Sequence, residues 1–249
     1  GENEIMMPLL NIPSEGLYAN LHNVKNEENS RFVRISKDNN IEYIALPPPF
    51  TANQLRSLMK DKDGNFWFTP GLSKAGLVKF DGHEYTIFSN GNGLPVNVIT
   101  TLEIDTEGNM WIGTSGSGLL KYEGDQFTYF NTKDGLKSDI VRSIFQDSKG
   151  NFWFGTSDGG VSKFDGQKIT NYLYEKEKNI NIINDILETK NGNLLMSSNM
   201  GVLEYNGQDF SFVNERFGLK PNTRIQDIEI INNEYWFVIF GLGVARKTK

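Results

Sequence analysis

Apolar and polar residues alternate along most of this chain in short runs, as in Val141, Ser143 and Phe145 against Arg142, Ile144 and Gln146. Asp-Gly and Gly-Asn pairs break the runs about every 8–12 residues, which is the punctuation of strands joined by hairpins rather than of helices. The punctuation itself repeats with a period of about 42 residues. Gly64-Asn65-Phe66-Trp67, Gly108-Asn109-Met110-Trp111 and Gly150-Asn151-Phe152-Trp153 are its clearest copies, with weaker ones at Gly192-Asn193-Leu194-Leu195 and Asn233-Glu234-Tyr235-Trp236. After each comes a glycine with an apolar residue (Gly76-Leu77, Gly118-Leu119, Gly160-Val161, Gly201-Val202, Gly243-Val244). An aromatic turn such as Phe164-Asp165-Gly166 and a closing strand such as Phe127-Thr128-Tyr129-Phe130 follow.

Four strands per unit follow, illustrated by 141–146, 152–156, 161–164 and 168–172. Both faces of such a sheet carry apolar side chains, so each must stack on copies of itself. Radial stacking of units of roughly 40–50 residues predicts a β-propeller, all-β, with four-stranded antiparallel blades and the tryptophans filling the space between them. Six units can be marked, 16–49, 50–92, 93–134, 135–177, 178–217 and 218–249, in one domain spanning 1–249. The last unit ends after its third strand. The orphan apolar run within residues 4–10 is expected to complete it, with Pro8 tolerated at an edge that needs no donor. In the first unit Val33 is read at the tryptophan position, which leaves that unit short of one strand near Pro47-Pro48-Pro49.

Composition narrows the function. A formal net charge of −6 disfavours nucleic acid, which needs a concentrated basic surface. No apolar run approaches the roughly 20 residues of a membrane span. There is no cysteine, hence no disulfide and no thiolate chemistry. His22 and His83 are the two imidazoles and share no ligand spacing, so no metal, cofactor or catalytic residue is assigned. Asp61-Lys62-Asp63-Gly64-Asn65 begins like a calcium loop but lacks the later bidentate glutamate and reads as a hairpin turn.

In a propeller, the loops entering each inner strand and those between second and third strands gather at one end of the channel. Aligning the units puts Asn53, Asn97, Asp139, Asn181 and Thr223 in one column, and Ser57, Thr101, Ser143, Asp185 and Asp227 in a second. Short polar side chains at strand starts often bond neighbouring backbone. The same ring could also bind a hydroxyl-rich ligand, with Arg56, Arg142 and Arg224 able to hold a carboxylate or sulfate bidentately. Ser157 and Asp158 join from a loop. Asp139 with Asp185 is a candidate acid/base pair if the two converge.

The segments IFQDSKGNFWFGTSDGGVSKFDGQKITNYL (144–173) and LEIDTEGNMWIGTSGSGLLKYEGDQFTYF (102–130) resemble the two-component regulator propeller repeat: an Asp, then Gly-Asn-aromatic-Trp-apolar-Gly-Thr, a glycine pair and an aromatic-Asp-Gly turn. The resemblance implies an extracytoplasmic binding or sensing propeller, periplasmic, surface-located or secreted, that takes a small polar ligand, such as a glycan breakdown product, or a protein partner at its mouth. It also brings in the related streptogramin lyases, so a lyase or hydrolase acting at the same face is the enzymatic alternative, and a pure interaction scaffold is a third.

Overall fold

The computed structural model describes residues 4–12, 14–23, 31–44, 55–70, 76–89, 91, 94, 98–123, 126–172, 182–231 and 233–247, with backbone alone at 4–12, 20–23, 55–57 and 70. Its strands form six antiparallel meanders. The first is β1 (Glu4–Ile12), β2 (Gly16–Asn23), β3 (Arg31–Ile35) and β4 (Ile41–Ile44). The second is β5 (Leu55–Lys60), β6 (Phe66–Pro70), β7 (Leu77–Phe80) and β8 (Tyr85–Phe88). The third is β9 (Ile99–Ile104), β10 (Met110–Thr114), β11 (Leu119–Glu123) and β12 (Gln126–Phe130); the fourth is β13 (Val141–Gln146), β14 (Phe152–Thr156), β15 (Val161–Phe164) and β16 (Ile169–Tyr172). The fifth is β17 (Ile183–Glu188), β18 (Leu194–Ser198), β19 (Gly201–Tyr205) and β20 (Phe210–Phe212), and the sixth is β21 (Ile225–Ile231), β22 (Glu234–Ile239) and β23 (Gly243–Lys247). By fold class the chain is a six-bladed β-propeller. It divides into two compact units, Gly1–Ile104 and Asp105–Lys249.

Two expectations for the ends of the repeat array are corrected. The apolar run at the amino end does not complete the last blade: β1 pairs with β2 from Glu4↔Asn23 to Ile12↔Gly16. Among the described residues the last sheet has three strands. A hairpin turn at Ser14-Glu15 brings β1 and β2 together across a few residues, and closing so short a loop costs far less chain entropy than recruiting a strand more than two hundred residues away. With β1 in place the first sheet has all four strands, and Val33 lies on β3, not at the tryptophan position. That place belongs to Tyr18. It pairs with Arg34 as Trp67 pairs with Lys79, and its hydroxyl donates to Glu15 Oε2 at 2.5 Å, as the tryptophans donate to their turn aspartates.

The second, third and fourth sheets are each held by one network. In the fourth sheet Asp147 accepts from the backbone N–H of Lys149 and Asn151, from Asn151 Nδ2, and from Trp153 Nε1 at 2.8 Å. Asp61 and Asp105 do the same for Trp67 and Trp111. The expected hairpin turns are therefore also the anchors of the core rings. Each ring then stacks on the aromatic that ends the fourth strand: Trp67 on Phe88, Trp111 on Phe130 and Trp153 on Tyr172, at 5.7, 5.6 and 5.6 Å between centroids. In the second unit the same rings reach the next sheet, Trp111 to Phe152 at 4.4 Å and Trp153 to Tyr205 at 5.2 Å. Lys79, Lys121 and Lys163 lie across the rings at 5.3, 5.8 and 5.4 Å, adding a cation–π contact at each. The Gly-apolar pair is explained at Gly118, where φ is +77° and a Cβ would sit 2.2 Å from the Phe130 carbonyl oxygen.

Candidate functional site

The second unit shows how the repeat arranges the starts of its inner strands. Its inner strands β13, β17 and β21 each carry a bulge one residue after the first apolar position, between Val141 and Ser143, Ile183 and Asp185, and Ile225 and Asp227. A bulge bends the strand and re-aims its side chains. Loops between second and third strands are tied to the same end: Ser157 N–H donates to the Ile140 carbonyl, Asn199 N–H to that of Ile182, and Phe240 N–H to that of Arg224. The loop after β10 crosses to the following sheet, where Gly116 and Gly118 N–H donate to the Asp139 carbonyl at 2.9 and 2.8 Å.

Several expected site residues have structural partners here. The Asp139 carboxylate accepts from Thr132 N–H at 2.8 Å and faces the Thr132 hydroxyl. It clamps the loop before β13. Thr223 donates its hydroxyl to the Lys220 carbonyl. Ser143 is buried, with its hydroxyl unpartnered among the described residues, behind the close approach of Gly155.

Others face solvent. Arg142 is exposed and donates from Nε to the Ser157 hydroxyl, with Asp158 exposed beside it. Arg224 is exposed and lies over the Phe240 ring, with Cζ 4.4 Å from its centroid. Neither arginine forms an ion pair among the described residues. Asn53, Asn97, Asn181 and the side chains of Arg56 and Ser57 lie outside what is described.

The carboxyl pair that does form is Asp185 with Asp227, at equivalent places on adjacent inner strands. Asp185 accepts from Ile228 N–H at 3.3 Å and hydrogen-bonds the Asp227 side chain. Burial first, and the neighbouring Asp227 charge second, push Asp185 up to about 8. Two carboxyls in contact away from bulk water retain one proton between them. The same alignment that suggested the polar column contains this pair, but a column does not say which neighbours touch.

The linkage has a definite sign. The folded chain holds a proton on Asp185 that the unfolded chain releases near pH 4, so raising the pH from about 4 to about 8 costs stability and the cost levels off above. Asp185→Asn, which cannot ionise, is expected to be near neutral at pH 4 and to stabilise by about 1–2 kcal/mol at pH 8. Thermal melts across that range check it. A variant gain that does not grow with pH would remove the shared proton.

One cavity went unanticipated. About 310 Å³ opens at the other end of the fifth and sixth sheets, lined by Lys190, Asn193, Glu204, Arg216, Phe217 and Tyr235 among others. Arg216 grips Glu204 bidentately at 2.6 and 2.8 Å, which holds the Glu204 carboxyl below its ordinary range. A signal was present in the repeat. Where the second, third and fourth sheets pair a tryptophan with a lysine, the fifth pairs Leu195 with Glu204, which places a carboxylate at the cavity wall.

The profile of the two-component regulator propeller family matches residues 93–116 and 135–158, the entries to the third and fourth units. Over those two stretches the chain is similar to the two-component regulator propeller repeat. No curated protein sequence matches it. Among solved structures it is similar to the extracellular domain of a protein assigned as a hybrid two-component system of B. thetaiotaomicron, at 19% identity and a TM-score of 0.71, covering 100% of this chain and 39% of that one. It is also similar to the extracellular domain of a protein assigned as a one-component system of the same organism, at 20% identity and TM-score 0.70, covering 97% and 32%. Virginiamycin B lyase from Staphylococcus aureus shares the fold at 12% identity and TM-score 0.66, covering 99% and 87%. The propeller-repeat chain thus spans about two fifths or less of the two regulator domains.

Proposed function

We propose that this propeller is a non-catalytic binding and sensing module that acts outside the cytoplasm and takes a small, hydroxyl-rich, acid-bearing ligand, of carbohydrate type, at the end where its inner strands begin. The observation carrying the reading is the pair of exposed guanidinium groups, Arg142 and Arg224, at the starts of β13 and β21 without a carboxylate partner among the described residues. Each is held by a neighbour that leaves its charge available, Ser157 in one case and the Phe240 face in the other. A guanidinium so placed presents a fork of donors matched to a carboxylate or sulfate. The shared fold of bacterial extracellular regulator domains supports the sensing role and the location. Among the described residues no helix is long and apolar enough to cross a membrane.

Calorimetric titration with neutral, uronic-acid and sulfated oligosaccharides tests the reading. Binding of the acidic series is expected, weakened about tenfold by Arg142→Ala or Arg224→Ala. Failure of every acidic glycan to bind, or binding indifferent to both substitutions, would overturn it.

A lyase or hydrolase at the same face is the second reading, favoured by one observation. The Asp185–Asp227 pair holds a proton at neutral pH, as a general acid must. Loss of a measured activity in Asp185→Asn with ligand binding retained would support it.

A further inference from the structure

The cavity of about 310 Å³ beside Glu204 lies where the repeat changes its chemistry at several places together. The second, third and fourth sheets each place an aspartate at the turn between their first two strands, a tryptophan on the second strand and a lysine on the third, as in Asp147, Trp153 and Lys163. The fifth sheet carries Thr189, Leu195 and Glu204 at those places. The turn itself is kept, because Thr189 N–H donates to the Asn193 carbonyl as Asp147 N–H donates to that of Asn151. The acid is gone from the turn, and the third strand carries an acid where the other sheets carry a base.

Glu204 is buried and already paired. Arg216, from the single 3-10 turn Asn214–Phe217 that precedes β21, uses two of the five N–H donors of its guanidinium on the two Glu204 oxygens. Its remaining donors stay at an exposed edge. Lys190 stands exposed on the turn between β17 and β18, donates to the neutral side chain of Asn233 and forms no ion pair among the described residues. With Lys190 and Arg216 cationic and Glu204 anionic, the lining keeps one positive charge in excess. Its other side is apolar: Phe217 is buried and Tyr235 half-buried, their centroids 4.9 Å apart and their planes inclined at 56°.

From this we infer that the cavity binds a small organic acid, whose single carboxylate meets Lys190 and the free edge of Arg216 while its flat ring lies against Phe217 and Tyr235. Volume sets the size of the body. A cavity of about 150 Å³ holds one benzene ring, so roughly twice that space admits a fused ring with an acidic arm. Charge sets the head group. A monoanion balances the excess, whereas a phosphate ester brings about −1.5 to −2 and would set surplus negative charge beside Glu204. A cation would face Lys190. The walls set the ring, since hydroxyl groups pressed on two aromatic side chains would lose their partners in water.

Indole-3-acetate, indole-3-acetamide and tryptamine share one ring system with a negative, a neutral and a positive arm, and they test the site on the 249-residue protein by calorimetry and heteronuclear NMR. Saturable binding of indole-3-acetate is expected, with shifts at Lys190, Arg216 and Tyr235. The amide is expected to bind at least about tenfold more weakly and tryptamine more weakly still. Lys190→Met keeps the stem at an exposed turn position and removes the charge. It is expected to weaken the acid about five- to tenfold and to leave the amide unchanged, so that the two ligands converge. A lysine that merely shaped the turn would weaken both alike. No saturable shift at the cavity up to about 10 mM ligand would overturn the proposal. So would equal binding of acid and amide, equal weakening of both by Lys190→Met, or glucuronate binding there as tightly as indole-3-acetate. Arg142→Ala and Arg224→Ala are expected to leave this binding unchanged, so failure at the inner-strand starts and failure at the cavity are separable.

Discussion

Replacing Trp153 with alanine is expected to cost about 3–5 kcal/mol, the ordinary range for emptying a large buried aromatic site, and to lower the melting temperature by roughly 10 °C or more. The ring is almost wholly buried and packs on Tyr172 of its own sheet and Tyr205 of the next, so the cavity would open between two sheets at once. Neither neighbour can collapse into it without shifting a strand. The same change at Trp236 is expected to cost only about 1 kcal/mol, because that ring is half-buried and already lacks both its stacking partner and its Nε1 acceptor among the described residues. Thermal unfolding of the two variants side by side gives the answer. Equal losses would mean that the fourth-strand aromatic and the turn aspartate contribute little.

Asp147→Ala is expected to cost about 2–4 kcal/mol through loss of an acceptor rather than loss of volume. The carboxylate serves two backbone N–H groups, the Asn151 amide and the Trp153 indole, and the indole has no water to turn to once that partner goes. The double variant with Trp153→Ala is expected to lose clearly less than the sum, since both changes break one network; denaturant titration of the four-member cycle measures the coupling. Acid tests the same contact. Burial alone would raise the Asp147 pKa, but the hydrogen bonds from Trp153, Asn151 and Lys149 together outweigh it and hold the carboxyl below its ordinary value. The stability this contributes is complete above about pH 4, where the unfolded aspartate is ionised, and is lost as the pH falls through the lower folded value.

Asp185 and Asp147 therefore respond to pH in opposite directions. One is depressed by donors converging on it, the other raised by burial beside a second carboxyl. Both sit at fixed places in the repeat. Their contrast arises from what lies opposite, a tryptophan N–H at the turn in one case and the next inner strand in the other.

Much of this was decided locally. The Gly-Asn-aromatic-Trp segments, the Gly-apolar pairs and the spacing of turns specify a four-stranded meander because each feature acts within a few residues: a positive-φ glycine, a two-sided apolar strand, an Asx turn closing a hairpin. Repetition of that meander is enough to require stacking, and so the fold class and the core role of the tryptophans were legible. What depended on distance was not. The amino-terminal run reads equally well as a strand for the last sheet or the first, and the cheaper local closure with β2 decided it. Asp139, Asp185 and Asp227 look alike in a column, yet only packing of β17 against β21 makes a shared proton of two of them while a loop threonine takes the third. The cavity beside Glu204 is likewise lined by residues of several strands and turns, and no single repeat shows it. Alternation along the chain determines that strands form and which faces they bury; which group meets which across sheets is set only when the sheets pack.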